Sequence, residues 1–325
     1  MRRSLLAGFA AALSLAGVAT AADVGFSEVK VEDGTEKPLV VGLWYPTAAN
    51  AQDHRLGPYA QRVALDSQPS GARLPLVVMS HGNGGSYQNH FDTALALAEA
   101  GFVVAAVSHT GDTYDDQSRA LSMADRPRHI RRLIDYVVRD WAHRERVDDK
   151  RVGAFGFSSG GFTALVLLGG KPDLSRVENH VASHPSSYEA QLRKRAGTAA
   201  AGALPATWSH DPRIRAAVVA APALGYAFAD GGLADVTAPV QLWRAQEDRV
   251  LPDPDYAEAV RRALPRPPEF HSVPNADHFD FLAPCSEDLK RYAPAICASR
   301  PGFDRTAFHD AFNQDVVRFF RETLR

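Results

Sequence analysis

Short apolar runs recur along the chain, separated by longer stretches in which apolar and charged positions alternate at helical spacing. Leu74-Pro75-Leu76-Val77-Val78-Met79-Ser80 is apolar almost throughout, the composition of a strand covered on both faces. Similar runs occupy 102–107, 151–157, 214–221, 239–245 and 270–273, and an earlier one, Pro38-Leu39-Val40-Val41-Gly42-Leu43-Trp44-Tyr45, ends at Pro46. From there to Arg73 the sequence is polar and reads as a long irregular connection. Helices are predicted over 87–100, closed by Gly101, and over 128–141, where Ile130, Leu133, Ile134, Val137 and Val138 share a face. Others are expected from Phe162, over 255–264, and near the C-terminus, where Phe308, Phe312, Val316, Phe319 and Phe320 form one stripe. Strand and helix alternate at intervals suited to right-handed crossovers, which predicts an α/β fold: a mainly parallel, doubly wound sheet with helices on both faces.

The rhythm breaks over 171–211, a polar, alanine-rich insertion expected to form a small cap or pocket wall. No composition break divides the remainder, so 22–325 is expected to be one domain. Residues 1–21 read differently. Arg2 and Arg3 precede an uncharged apolar run, 5–18, and then Ala19-Thr20-Ala21, the pattern of a cleaved secretory signal peptide. The run is too short for a good membrane span, and no stable span is expected after its removal. Removing it shifts the formal charge from -2 to -4, which gives no reason to expect a nucleic-acid partner. Export to the periplasm or beyond places the only two cysteines, Cys285 and Cys297, in an oxidising compartment, where they are expected to pair.

The chemistry centres on Gly156-Phe157-Ser158-Ser159-Gly160, a GxSxG match between a predicted strand and a predicted helix. In a nucleophile elbow that arrangement strains and exposes the serine. A serine needs a base, itself oriented by an acid. Asp248 follows the strand 239–245 at the required end; Glu247 is its nearest rival, Asp230 and Asp235 precede the strand, and Asp253 and Asp255 lie farther along the loop. His278 follows the last strand in a loop, whereas His271 lies within that strand and His309 in the C-terminal helix. Two N–H donors for a developing oxyanion are expected from the backbone of Ser159 and of Asn83, the latter in His81-Gly82-Asn83-Gly84-Gly85. His180 and His184 have a spacing compatible with metal binding but no acidic or cysteine partner nearby in sequence, and no metal or cofactor is expected.

Together with Trp44-Tyr45-Pro46, Asp125-Arg126-Pro127 and the tail from Pro284-Cys285 to Phe308-His309, these motifs resemble secreted bacterial predicted dienelactone hydrolases, which are similar to platelet-activating factor acetylhydrolases. The resemblance implies an α/β-hydrolase fold, a Ser158–Asp248–His278 triad and no cofactor. Dienelactone hydrolases proper use a cysteine nucleophile where this chain has Ser158, so the name carries no implication of dienelactone as substrate. The expected activity is cleavage of a small-molecule or lipid-like carboxylic ester through an acyl-enzyme. A peptidase or amidase on the same fold, and a binding module that has lost catalysis, are the alternatives.

Overall fold

The computed structural model describes residues 23–196 and 207–325; the expected leader, 1–21, and part of the expected insertion, 197–206, lie outside the described residues. Ten strands, β1 (Asp23–Asp33), β2 (Glu36–Thr47), β3 (Gln52–Leu56), β4 (Tyr59–Leu65), β5 (Leu74–Ser80), β6 (Val103–Ser108), β7 (Val147–Phe157), β8 (Ile214–Ala220), β9 (Val240–Ala245) and β10 (Glu269–Val273), form one sheet. Their order is β10-β9-β8-β7-β5-β6-β2-β1-β4-β3. From β10 to β6 every neighbouring pair is parallel, and β2 and β1 continue the sheet antiparallel.

The uninterrupted apolar strands are explained by two cores, one on each face. Leu76 and Val78 of β5 and Val103, Ala105 and Val107 of β6 point into one, while Val77, Met79, Val104 and Ala106 point into the other. The period of two thus survives inside a run with no polar position. Helices α1 (Phe91–Glu99) and α9 (Arg305–Thr323) cover the second face, with Phe312, Val316, Phe319 and Phe320 buried as the stripe predicted. The first face is covered by α2 (Asp125–Asp135) and α3 (Ser159–Leu167), and later in the chain by α6 (Ala257–Ala263). Between them, α4 (Ser175–Ser183) and α5 (Tyr188–Ala196) follow the elbow helix, and α7 (Glu287–Tyr292) and α8 (Pro294–Cys297) precede α9.

Three sequence expectations are corrected. The stretch before Arg73 is no irregular connection: β3 and β4 pair antiparallel across a turn at Gly57 (φ +56°), and β1 adds a strand ahead of the first one expected. These strands lie towards the sheet's edge, where one side faces water, so polar residues interrupt the apolar pattern. Helix α1 begins at Phe91, because the Tyr87 N–H is taken by Ser108 Oγ and its ring packs against Phe26 and Trp44. The helix expected over 128–141 starts earlier, at Asp125, and passes into a π turn over Tyr136–Asp140.

Cys285 and Cys297 are joined by a disulfide across the segment that carries α7 and α8. Among the described residues no helix is long and apolar enough to cross a membrane.

Candidate active site

The turn from β7 into α3 is dictated by missing side chains. A Cβ on Gly156 would lie 2.0 Å from the Gly160 carbonyl oxygen, and one on Gly160 would lie 1.8 Å from that of Ser80. Only glycine lets the new helix fold back so closely on its own strand and on β5. Ser158, at the apex, takes φ +55° and ψ -117°, a conformation that costs on the order of 1–3 kcal/mol for a residue with a side chain. Its own backbone holds it there: the Ser158 N–H donates to Ala220 O (2.9 Å), and its carbonyl accepts from Ala223 (3.0 Å) and Phe162 (3.2 Å).

Asp248 and His278 reach this serine from the ends of β9 and β10. One carboxylate oxygen of Asp248 accepts the N–H groups of Val250 (3.0 Å) and Leu251 (2.7 Å), which fixes the side chain. The other lies 2.8 Å from His278 Nδ1, and His278 Nε2 lies 3.1 Å from Ser158 Oγ. A carboxylate only accepts, so Nδ1 carries the proton and the Nε2 lone pair faces the hydroxyl. Asp277 locks the two loops together: it accepts from the backbone N–H of both Arg249 (3.0 Å) and His278 (2.8 Å) and from the Arg249 guanidinium. Burial raises the Asp277 pKa, but these bonds outweigh it and hold the carboxyl below its ordinary value.

The rival residues are engaged elsewhere. Asp230 pairs with Arg176, Asp235 with Lys171 and Asp253 with Arg244, while Glu247 is exposed and faces Arg300. His271 stacks on Trp243 beside Glu269 and Asp315, and His309 bridges Asp92 (2.6 Å) and the Asp280 carbonyl (2.9 Å). Asp255 lies against His180 rather than His278.

The loop after β5 brings Asn83 to the same pocket, and among the described residues its backbone N–H has no protein acceptor. Ser159, the first residue of α3, presents an N–H that the helix itself leaves free. Arg126 and Asp112, not assigned a role from the sequence, hold this loop from behind. The buried Arg126 guanidinium donates to the carbonyls of His81 (2.7 Å) and Gly82 (3.1 Å) and through Nε to Asp112 (2.8 Å). Asp112 accepts from the Asn83 side chain (2.7 Å) and the Gly84 N–H (2.7 Å). On the pocket side Tyr188 of α5 donates to Asn83 Oδ1 (2.6 Å). The signal for Arg126 was a charged residue in register with the apolar stripe of α2, four positions before Ile130.

Behind the loop runs a chain of neutral histidines. His81 donates through Nδ1 to Gly82 O (2.6 Å) and accepts the His109 N–H at Nε2 (3.0 Å). Arg128 donates to His129 Nε2 (3.1 Å), so His129 Nδ1 donates to His109 Nδ1 (3.2 Å) and His109 Nε2 to Ser80 Oγ (2.8 Å). Burial, followed by the Arg126 charge, pushes His81 and His109 well below the usual histidine range; burial and Arg128 bring His129 to about 3.

Phe157, Tyr188, Val250, Phe279, Leu282 and Ile296 complete a cavity of about 80 Å³ around Ser158 and His278. A larger groove, about 800 Å³, shares Gly84, Gly85, Asn89 and Ile296 with it. Tyr114 and Tyr292, exposed by 76% and 85%, line this groove.

Residues 63–219 match the dienelactone hydrolase family, a stretch that includes the glycine loop and the elbow and ends before Asp248 and His278. Among solved structures, the ferulic acid esterase from Streptomyces cinnamoneus is similar over 96% of this chain and 93% of its own, with a TM-score of 0.64 and 20% identity, a likeness of fold. No curated protein matches the sequence. The family match over this central stretch and the shared architecture support a dienelactone hydrolase-like α/β-hydrolase fold.

Proposed function

We propose that the protein is an exported serine hydrolase that cleaves carboxylic esters. The observation that carries this reading is the pair of hydrogen bonds through His278, 3.1 Å to Ser158 Oγ and 2.8 Å to Asp248. In this mechanism Nε2 takes the hydroxyl proton as Oγ attacks the ester carbonyl. Asp248 keeps Nδ1 protonated and stabilises the imidazolium that forms. The backbone N–H groups of Asn83 and Ser159 receive the oxyanion, and His278 returns its proton to the leaving alcohol. Water then repeats the sequence on the acyl-enzyme, regenerating Ser158.

The two volumes beside the serine suggest how an ester is divided: a compact group in the cavity, and an aromatic or extended portion along the tyrosine-lined groove. The ferulic acid esterase of similar fold, whose substrate carries an aromatic acid, is compatible with that division. The disulfide supports export, since such bonds persist in oxidising compartments.

Ser158→Ala should reduce kcat on p-nitrophenyl esters by at least about 10³-fold. It should also abolish labelling by a fluorophosphonate, with the fold unchanged by circular dichroism. Full activity in that variant would overturn the assignment. Wild-type turnover of matched anilides at the rate of esters would replace the esterase reading with an amidase.

A further inference from the structure

The geometry points to a binding site for one divalent transition-metal ion, zinc above all, formed by His180, His184 and Asp255. The acidic residue nearest the two histidines in sequence, Glu178, pairs with Arg193 and offers no third ligand. The fold supplies one from the loop between β9 and α6.

The proton positions follow from the neighbours. Tyr256 donates its hydroxyl proton to Glu189 (2.8 Å), so its oxygen accepts from His180 Nε2 (3.1 Å). His180 therefore keeps a bare lone pair on Nδ1. His184 Nδ1 lies 3.2 Å from the His180 carbonyl, an acceptor only, so Nδ1 is protonated and Nε2 is free. The Asp255 carboxylate faces His180 Nδ1 at 4.0 Å. Two acceptors thus confront each other with no proton to share, an arrangement that a cation resolves.

The ligand atoms of all three residues lie within 4.8 Å of one another. Tetrahedral zinc, with metal–ligand distances of about 2.0–2.2 Å, needs them about 3.4 Å apart. His184 is exposed and the Asp255 side chain is 37% accessible, so both are free to close the difference. Two imidazoles and one carboxylate suit zinc, and leave a fourth position for water.

Charge and support agree. Glu189 is buried, one of its oxygens has no partner, and among the described residues no cationic side chain pairs with it. Two carboxylates consequently stand beside two imidazoles. The run from His180 through Tyr256 to Glu189 is the carboxylate-backed hydrogen bonding that orients metal-bound histidines. The second triple of this kind, Glu269, His271 and Asp315, differs because Arg318 already pairs with both of its carboxylates.

A metal here would tie α4 to the loop that carries Asp248. Tyr188 and Val250 line both the cleft beside this site and the cavity at Ser158, so the same tie would fix one wall of the candidate active site. Binding itself requires nothing of the proposed reaction, and its test is independent of it.

The test uses tag-free mature protein, stripped with EDTA, dialysed and titrated calorimetrically with zinc chloride. The expected result is one zinc ion per chain with micromolar or tighter affinity, accompanied by a rise in melting temperature. His184→Ala and Asp255→Asn, both at accessible positions, should each weaken binding by at least about tenfold while leaving the circular dichroism spectrum unchanged. Absence of stoichiometric zinc binding to the wild type, or undiminished affinity in both variants, would overturn the proposal.

Discussion

Two groups of histidines flank Ser158, and they differ in what their nitrogens find. In His81, His109 and His129 every ring nitrogen has a hydrogen-bond partner, a carbonyl, an N–H, a hydroxyl, a guanidinium or another imidazole. In His180 and His184 one nitrogen of each is occupied and the other faces a cleft. The first group is saturated and buried, and what it does is hold a loop still. The second has spare lone pairs at an accessible edge. Residue type is the same in both; the number of unclaimed lone pairs separates a scaffold from a binding site.

The comparison breaks most severely at Arg126. Arg126→Met leaves Asp112 buried without its cation, which should cost about 3–5 kcal/mol in denaturant unfolding. By loosening the loop that carries Asn83 it should also lower kcat by about 10²-fold. The double substitution Arg126→Met, Asp112→Leu separates the two effects. Stability should partly return because no charge is left stranded, while kcat should stay low because the carbonyls of His81 and Gly82 remain unheld. Recovery of both would reduce the pair to packing.

Acid should distinguish the two groups next. His81, His109 and His129, with His90 also brought to about 3 by burial, are neutral when folded and gain protons near pH 6.5 when unfolded. The unfolded state therefore binds more protons below that pH, and stability falls as pH falls. Each histidine contributes about 1.4 kcal/mol per pH unit in this window. Urea midpoints measured between pH 7 and 5 should drop steeply, and a flat profile would mean that the folded group is charged. The smallest effect belongs to the open group: without metal, His184→Ala should change stability by less than about 0.5 kcal/mol.

The central strands were legible because burial on both faces leaves an apolar run that no polar residue interrupts. The elbow was legible for a related reason, since Gly156 and Gly160 sit where no other residue fits. Asp248 and His278 could be named because chain order and strand ends restrict the choice. By contrast, β3 and β4 mix polar and apolar positions, and nothing local distinguishes them from a loop. Arg126 and Asp112 were hidden by distance in another sense: what each does depends on carbonyls and N–H groups contributed by the 81–84 loop. Asp255 is the same case, a ligand brought to His180 only by the folding of the intervening sheet.

The disulfide encloses a wall rather than the candidate catalytic groups. Ile296, adjacent to Cys297, belongs to both the cavity and the groove, whereas Ser158, Asp248 and His278 follow β7, β9 and β10, all outside the segment that the disulfide closes. Protein prepared in a reducing cytoplasm should therefore retain the proposed chemistry but lose the tether on the wall proposed to hold the longer part of the ester. Preparations from the two compartments should agree on the smallest esters and diverge as the ester lengthens.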